Sequence, residues 1–345
     1  MRGVARSLWA RLVLVAAAVA VVVAMVVWRG PSMDVLRGAF TLVAWEWVAL
    51  ALVLNLLSVA VRTLAWRTVI RQAMPPPHPR LRSIFSAFSV GLLANAVLPG
   101  RIGELARVAV LTRNSPIPPG GWATLVGTVF AHRVFDLAAA LLLVAYVILA
   151  AQVPAWAFTS LVVVVVLGLT LLAVSFVGAR RHNRSIRSEL GIVRRLLAMA
   201  RNGLGVMRQP FAAAVAIGYQ CIAWALQLAA VYAAMRAFNI QEPLEAAALV
   251  LVMMNVAMVF PLWPGNVGLV QAAVALSLLA YGIDYPHGFA FGIGLQAIEA
   301  SVGIGLGLVF LAREGLTLGT LREMEDPRGE ERPVRREPAE AGLRR

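Results

Sequence analysis

The sequence predicts an all-α, polytopic integral membrane protein with about six full spans and two helical hairpins broken by Pro-Gly. Three observations predict this. The 345 residues are 60% hydrophobic and 14% charged, against about 25% charged in soluble domains, and their mean hydropathy is +0.80. Apolar stretches close to the roughly 20 residues that cross a bilayer recur along the chain, beginning with "LVLVAAAVAVVVAMVVW" at 12–28. Two of these stretches are interrupted by one pattern, Pro-Gly-x-[Ile/Val]-Gly, at Pro99 to Gly103 and at Pro264 to Gly268.

Loop charges order the elements, because cytoplasmic loops carry excess basic residues. All 31 Lys and Arg residues are Arg, and the net charge is +14. These residues flank apolar stretches, which speaks for membrane topology and against nucleic-acid binding. Arg2, Arg6 and Arg11 precede a first span at 11–28, expected as an uncleaved helix with the N-terminus in the cytoplasm. A second span at about 40–65 returns and ends among Arg62, Arg67, Arg71, Arg80 and Arg82, which read as a cytoplasmic cluster followed by the stiff turn "PPPHP" at 75–79. Spans at about 123–150 and 157–178 are joined by the uncharged "AQVPAW", so residue 123 starts in the cytoplasm. The stretch 83–113 therefore enters and leaves on the cytoplasmic side. After a basic segment at 180–209, a span at 210–236 runs outward and a last span at about 288–312 runs inward, so 243–284 enters and leaves from outside. The halves 40–150 and 210–312 then form an inverted repeat within one domain, 1–313. Within 186–208, Leu190, Val193, Leu197 and Leu204 fall near one helical face, which predicts an amphipathic helix on anionic lipid. Residues 314–345 are charged and Pro-containing, and predict a disordered cytoplasmic tail.

The chemistry collects at the breaks. A Pro-Gly break frees backbone N–H groups at the start of the second half-helix, and with the helix dipole these make an anion site. Pro99, Gly100 and Gly103 shape the first break, and Arg101 adds a full positive charge there. A lipid headgroup phosphate is the expected ligand. Glu104 and Arg107 are three residues apart and can pair; Arg133 and Asp136 in "AHRVFDLAAALLL" repeat the spacing. An unpaired charge at mid-bilayer costs about 2.5–3.5 kcal/mol on insertion scales, so Glu104, Arg107, Asp136 and Glu299 are expected to balance the charge of an empty site, with Arg133 as partner to Glu299. At the second break, Pro264 and Gly265 make the kink, and Asn266, beside Gln271, reads equally as a headgroup contact or as a residue that satisfies the kink. "GIGLG" at 303–307 lies inside an apolar span, where its glycines allow close helix packing rather than phosphate binding. Lone Cys221 and four scattered His residues predict no disulfide, metal or other cofactor.

"NAVLPGRIGELARVAVL", "HRVFDL" and "FPLWPGNVGLVQAAVALSLLAYGI", in that order, resemble the flippase-like family, the transmembrane region of lysylphosphatidylglycerol synthases. The resemblance covers about 10–312. The chain departs from the family pattern where His132 and Gln271 stand in place of Glu, so no proton-coupled role is expected at those two positions. The full synthases add a soluble aminoacyl-transferase domain, which the residues after Arg313 are not expected to supply. The resemblance implies translocation of a phospholipid or a polyprenyl-phosphate-linked lipid across the bilayer; synthase activity is not implied, and the chain is expected to be a non-enzymatic plasma-membrane protein. The alternative is an integral membrane enzyme, or an accessory subunit working beside a glycosyltransferase or another lipid-modifying enzyme.

Overall fold

A computed structural model describes residues 38, 40–97, 103–115, 117, 121–180, 209–259 and 264–313. The first span, the break residues Pro99, Gly100 and Arg101, the amphipathic segment and the charged tail lie outside the described residues. Within them the chain is helical, without strands. The helices are α1 (Trp45–Ala73), α2 (Leu81–Val97), α3 (Gly103–Asn114), α4 (Gly121–Ala150), α5 (Ala155–Arg180), α6 (Pro210–Ala237), α7 (Leu244–Ala257), α8 (Leu269–Leu278) and α9 (Tyr285–Arg313). Of these, α1, α4, α6 and α9 are long and apolar enough to cross a membrane.

The boundaries follow from local chemistry. Pro75, Pro76 and Pro77 cannot extend α1, whose last turn closes with Met74 N–H on Ile70 O. Pro210 opens α6 at a position where its missing N–H costs nothing. Helix α1 starts and ends later than hydropathy alone suggests: it runs on to Ala73, so Arg62 belongs inside the span rather than to the cytoplasmic cluster. Arg67, Arg71 and the turn of prolines remain at its end.

The hairpin arms are short. Helices α2, α3, α7 and α8 have 17, 12, 14 and 10 residues, or roughly 25 Å down to 15 Å at 1.5 Å per residue, against an apolar core of roughly 30 Å. Each pair folds back on itself. In the first hairpin, Gly103 sits so close to α2 that a Cβ there would collide with Gly91 O and meet Asn95 Oδ1 at 2.5 Å. Asn95 accepts the Gly103 N–H at 2.9 Å, which caps the start of α3. In the second, a 3-10 turn at Pro264–Asn266 precedes α8, and Gly268, at φ +92, donates its N–H to Gln271 Oε1 at 2.6 Å.

Helices α1 and α6 form the most extensive helix pair among the described residues, and α9 packs on both hairpins. A fully buried cluster that includes Met235, Val250, Leu251, Val274 and Phe291 ties α6 to the second hairpin and α9. A second, around Trp66, Ile84, Val90, Leu111 and Leu125, ties the first hairpin to α1 and α4. Both hairpins are thus wedged among the long helices.

Candidate functional site

Six charged residues lie along the middle stretches of the helices and within the first hairpin: Arg62, Glu104, Arg107, Arg133, Asp136 and Glu299. Depth can be read from helix position. Arg62 is the eighteenth residue of α1, Asp136 the sixteenth of α4 and Glu299 the fifteenth of α9. Each helix has about thirty residues, so these side chains stand close to mid-span.

They form one connected network. Arg107 Nη2 meets Glu104 Oε2 at 2.5 Å. The other Glu104 oxygen accepts Arg133 Nε at 2.9 Å and also pairs with Arg133 Nη2. Arg133 Nη1 reaches Asp136 Oδ2 at 3.3 Å. Asp136 Oδ1 accepts Arg62 Nη1 at 2.6 Å and the Trp224 indole N–H at 2.9 Å. Arg62 Nη2 donates to Gln227 Oε1 at 2.8 Å, and Gln227 Nε2 donates to Glu299 Oε1 at 3.3 Å. Three arginines and three carboxylates are thereby joined across α3, α4, α1, α6 and α9.

The members differ in how they are held. Arg107 is buried (2%), with its guanidinium 4.8 Å from the Phe88 ring centroid and 5.4 Å from that of Trp66. Trp66 is fixed in turn by its N–H on Thr128 Oγ1 at 3.1 Å. Arg62 stacks 5.1 Å over Trp224. Rings on one face and a carboxylate at the edge suit the planar guanidinium. Arg133 is different: its side chain is 47% exposed. Its Nε and Nη2 edge meets Glu104 and its Nη1 meets Asp136; a half-exposed guanidinium shared between two carboxylates can exchange one acceptor for another without unfolding anything.

Several expected pairs are present. Glu104 pairs with Arg107 and Arg133 with Asp136, as the three-residue spacing predicts. Arg133 does not serve Glu299, however. It is occupied by Glu104 and Asp136, and Glu299 takes its hydrogen bond from Gln227 instead. Asn266 is buried (3%) and its amide donates to Ala257 O at 2.9 Å, bridging the two arms of the second hairpin. Gly265 sits against Gln296, whose Nε2 donates to its carbonyl, while Gln271 Nε2 donates to Gln296 Oε1 at 2.5 Å. Gly307 contacts Leu93 and Ser89 of α2, as expected of a packing glycine.

Sequence reasoning missed Arg62, Trp224, Gln227 and the buried contact of Gln220 with the His132 ring at 3.3 Å. A signal was there. Gln220, Trp224 and Gln227 stand at i, i+4 and i+7 on one face of an otherwise apolar helix. Away from this network, an open cleft of about 450 Å³ lies between Gln152–Pro154 and Leu276–Ala280, without charged residues. Among the described residues no cluster of His, Cys, Asp and Glu is arranged to hold a metal ion.

Long apolar helices around a polar network at mid-span define an integral membrane protein of the helical, broken-hairpin class. The model of the lysylphosphatidylglycerol synthase transmembrane region matches residues 9–307, and the chain belongs to that family. No curated protein and no solved structure matches it significantly.

Proposed function

We propose that the chain moves a lipid with an anionic headgroup across the plasma membrane, a phospholipid or a polyprenyl-phosphate-linked lipid, without changing it covalently. The observation that carries this is the half-open Arg133 in a mid-span network whose other cations are less exposed, Arg107 at 2% and Arg62 at 15%. A headgroup phosphate offers the same paired oxygens as a carboxylate, so it can take over an edge of Arg133 bidentately. Glu104 then remains paired with Arg107 and Asp136 with Arg62, so no carboxylate is orphaned by the exchange. Arg101 stands three residues before Glu104, which is a partner of Arg133. The Gly103 N–H is already accepted by Asn95, which puts the weight of anion binding on the arginine side chains.

In this reading the chain has six full spans, two re-entrant hairpins and both termini in the cytoplasm, and its halves are related by inversion in the membrane plane. Positional equivalence supports the inversion. Arg62 and Gln227 are each the eighteenth residue of their helix, Ser58 and Ala223 each the fourteenth, and Ser58 Oγ donates to Ala223 O at 2.9 Å where α1 crosses α6. The Arg62–Asp136 pair then corresponds to Gln227–Glu299.

The test is translocation of fluorescent lipids by purified protein in vesicles, with Arg101→Ala, Arg101→Lys and Arg133→Gln. Anionic lipid should cross faster than in empty vesicles, Arg101→Lys should slow it, and Arg101→Ala and Arg133→Gln should nearly abolish it at unchanged thermal stability. Parental rates in both Arg101→Ala and Arg133→Gln would refute the anion site. A wild-type protein that moves no lipid, but stimulates a co-reconstituted glycosyltransferase or lipid-modifying enzyme, would favour an accessory role.

A further inference from the structure

Glu299 differs from the other two carboxylates of the network. Glu104 contacts two guanidinium groups, those of Arg107 and Arg133. Asp136 also contacts two, those of Arg62 and Arg133, and accepts the Trp224 N–H as well. Glu299 contacts none: among the described residues its hydrogen-bond partner is the Gln227 amide, at 3.3 Å. The equivalence of the two halves sharpens the contrast. Where Asp136 faces Arg62, Glu299 faces Gln227. Where Arg133 stands three residues before Asp136, Gln296 stands three before Glu299. Both cations of the first half are replaced by amides in the second, while the carboxylate is kept.

We propose that Glu299 is a proton-binding site, and that its proton is taken up and released together with the anionic lipid. This rests on the transport reading above. An ionised carboxylate at mid-span without a cation is costly, and the neutral acid removes that cost. Among the described residues the surroundings supply no substitute charge. Of the helices packed on α9, α1 brings Arg62, which is engaged with Asp136 and Gln227, and α6 brings the uncharged Gln227. The charged residue of α2, Arg82, stands in its first turn, and α8 has none.

Gln227 makes the connection. With Glu299 ionised, the Gln227 NH2 must point at the carboxylate, which leaves Oε1 to accept Arg62. With Glu299 protonated, its O–H donates as well as accepts, so the amide is no longer held in one orientation and Arg62 is free to shift along Asp136. Protonation raises the charge of the network by one unit and an arriving anionic headgroup lowers it by one. Each event therefore favours the other, and by linkage the effect is reciprocal. The proton leaves from the Glu299 carboxyl to water when the lipid departs.

Two measurements on the full-length protein test this. The first is an infrared pH titration in lipid vesicles. A carboxylic acid C=O band should persist at pH values where carboxylates in water are ionised, vanish in Glu299→Gln, and remain at a displaced midpoint in Glu299→Asp, which keeps the carboxyl group should the glutamine variant fold poorly. No such band in the wild type, or a band unchanged in Glu299→Gln, overturns the proposal whatever the protein transports. The second is translocation of anionic lipid against an imposed pH gradient. One proton per lipid predicts about tenfold lipid asymmetry per unit of pH gradient, lost in Glu299→Gln. Lipid movement that ignores the gradient overturns the coupling and leaves the transport reading standing. Absence of any movement counts against the transport reading, and the infrared titration still decides whether Glu299 holds a proton.

Discussion

Asp136→Asn should destabilise the protein strongly although it is isosteric. The amide keeps the shape and can still accept the Trp224 N–H, but it removes the negative charge that meets Arg62 at 2.6 Å and Arg133 at 3.3 Å. Arg133 retains Glu104 and is half exposed. Arg62 retains only the Gln227 oxygen and the Trp224 ring, and its side chain is 15% exposed. Stranding one partner of a buried pair costs about 3–5 kcal/mol, and partial exposure of Arg62 places the loss near about 3 kcal/mol. Arg62→Gln should cost less, about 1.5–3 kcal/mol, because Asp136 keeps Arg133 and Trp224. The double variant reproduces in the first half the uncharged contact of the second, so its cost should fall short of the sum by about 2 kcal/mol, more than the ~0.6 kcal/mol averaged by neutral interhelical hydrogen bonds in membranes. Equilibrium unfolding of the four proteins in bicelles measures the cycle. Additive effects within about 0.5 kcal/mol would mean that Arg62 and Asp136 are neighbours without being energetic partners.

Two further outcomes follow from packing. Gly307→Ala drives a methyl group into Leu93 and to 2.9 Å from Ser89 O and should destabilise by about 1–3 kcal/mol, whereas Gly305→Ala meets nothing within 4 Å and should be neutral or stabilising by about 0.5–1 kcal/mol; thermal unfolding of the pair in one detergent checks the contrast. Trp224→Phe keeps a ring beneath Arg62 but deletes the N–H on Asp136; a loss of about 1–3 kcal/mol is expected, and the same unfolding assay should show that this loss shrinks in the Asp136→Asn background.

What was legible in the sequence was what is local. Apolar length and loop charge locate α4, α6 and α9 to within a few residues, and Pro-Gly marks both hairpin turns. Glu104 with Arg107, and Arg133 with Asp136, are readable because three residues along a helix return to the same face. The cross-helix partners were not, because sequence separation says nothing about how one helix is rotated against another. Arg62 was masked by its neighbours Arg67 and Arg71, which made a mid-span charge resemble the edge of a cytoplasmic cluster. Depth alone makes Arg133 the candidate partner of Glu299, since a carboxylate at mid-span calls for a cation. The intervening Gln227 changes that result, since an amide can satisfy a guanidinium on one side and a carboxylate on the other. Asn266 shows the same limit: a polar residue at a break reads equally as a ligand contact or as a brace, and its bond to Ala257 O is a brace.

An anionic headgroup that reaches the mid-span arginines can be trapped there. The probe is a photoactivatable phosphatidylglycerol with its reactive group at the headgroup, incorporated into vesicles with the purified protein and mapped by mass spectrometry. Labelled peptides should carry Glu104 and Arg133, labelling should fall in Arg133→Gln, and unlabelled anionic lipid should compete where phosphatidylcholine does not. Labels confined to the ends of the helices, around Arg71–Arg82 and Arg313, would contradict binding at mid-span.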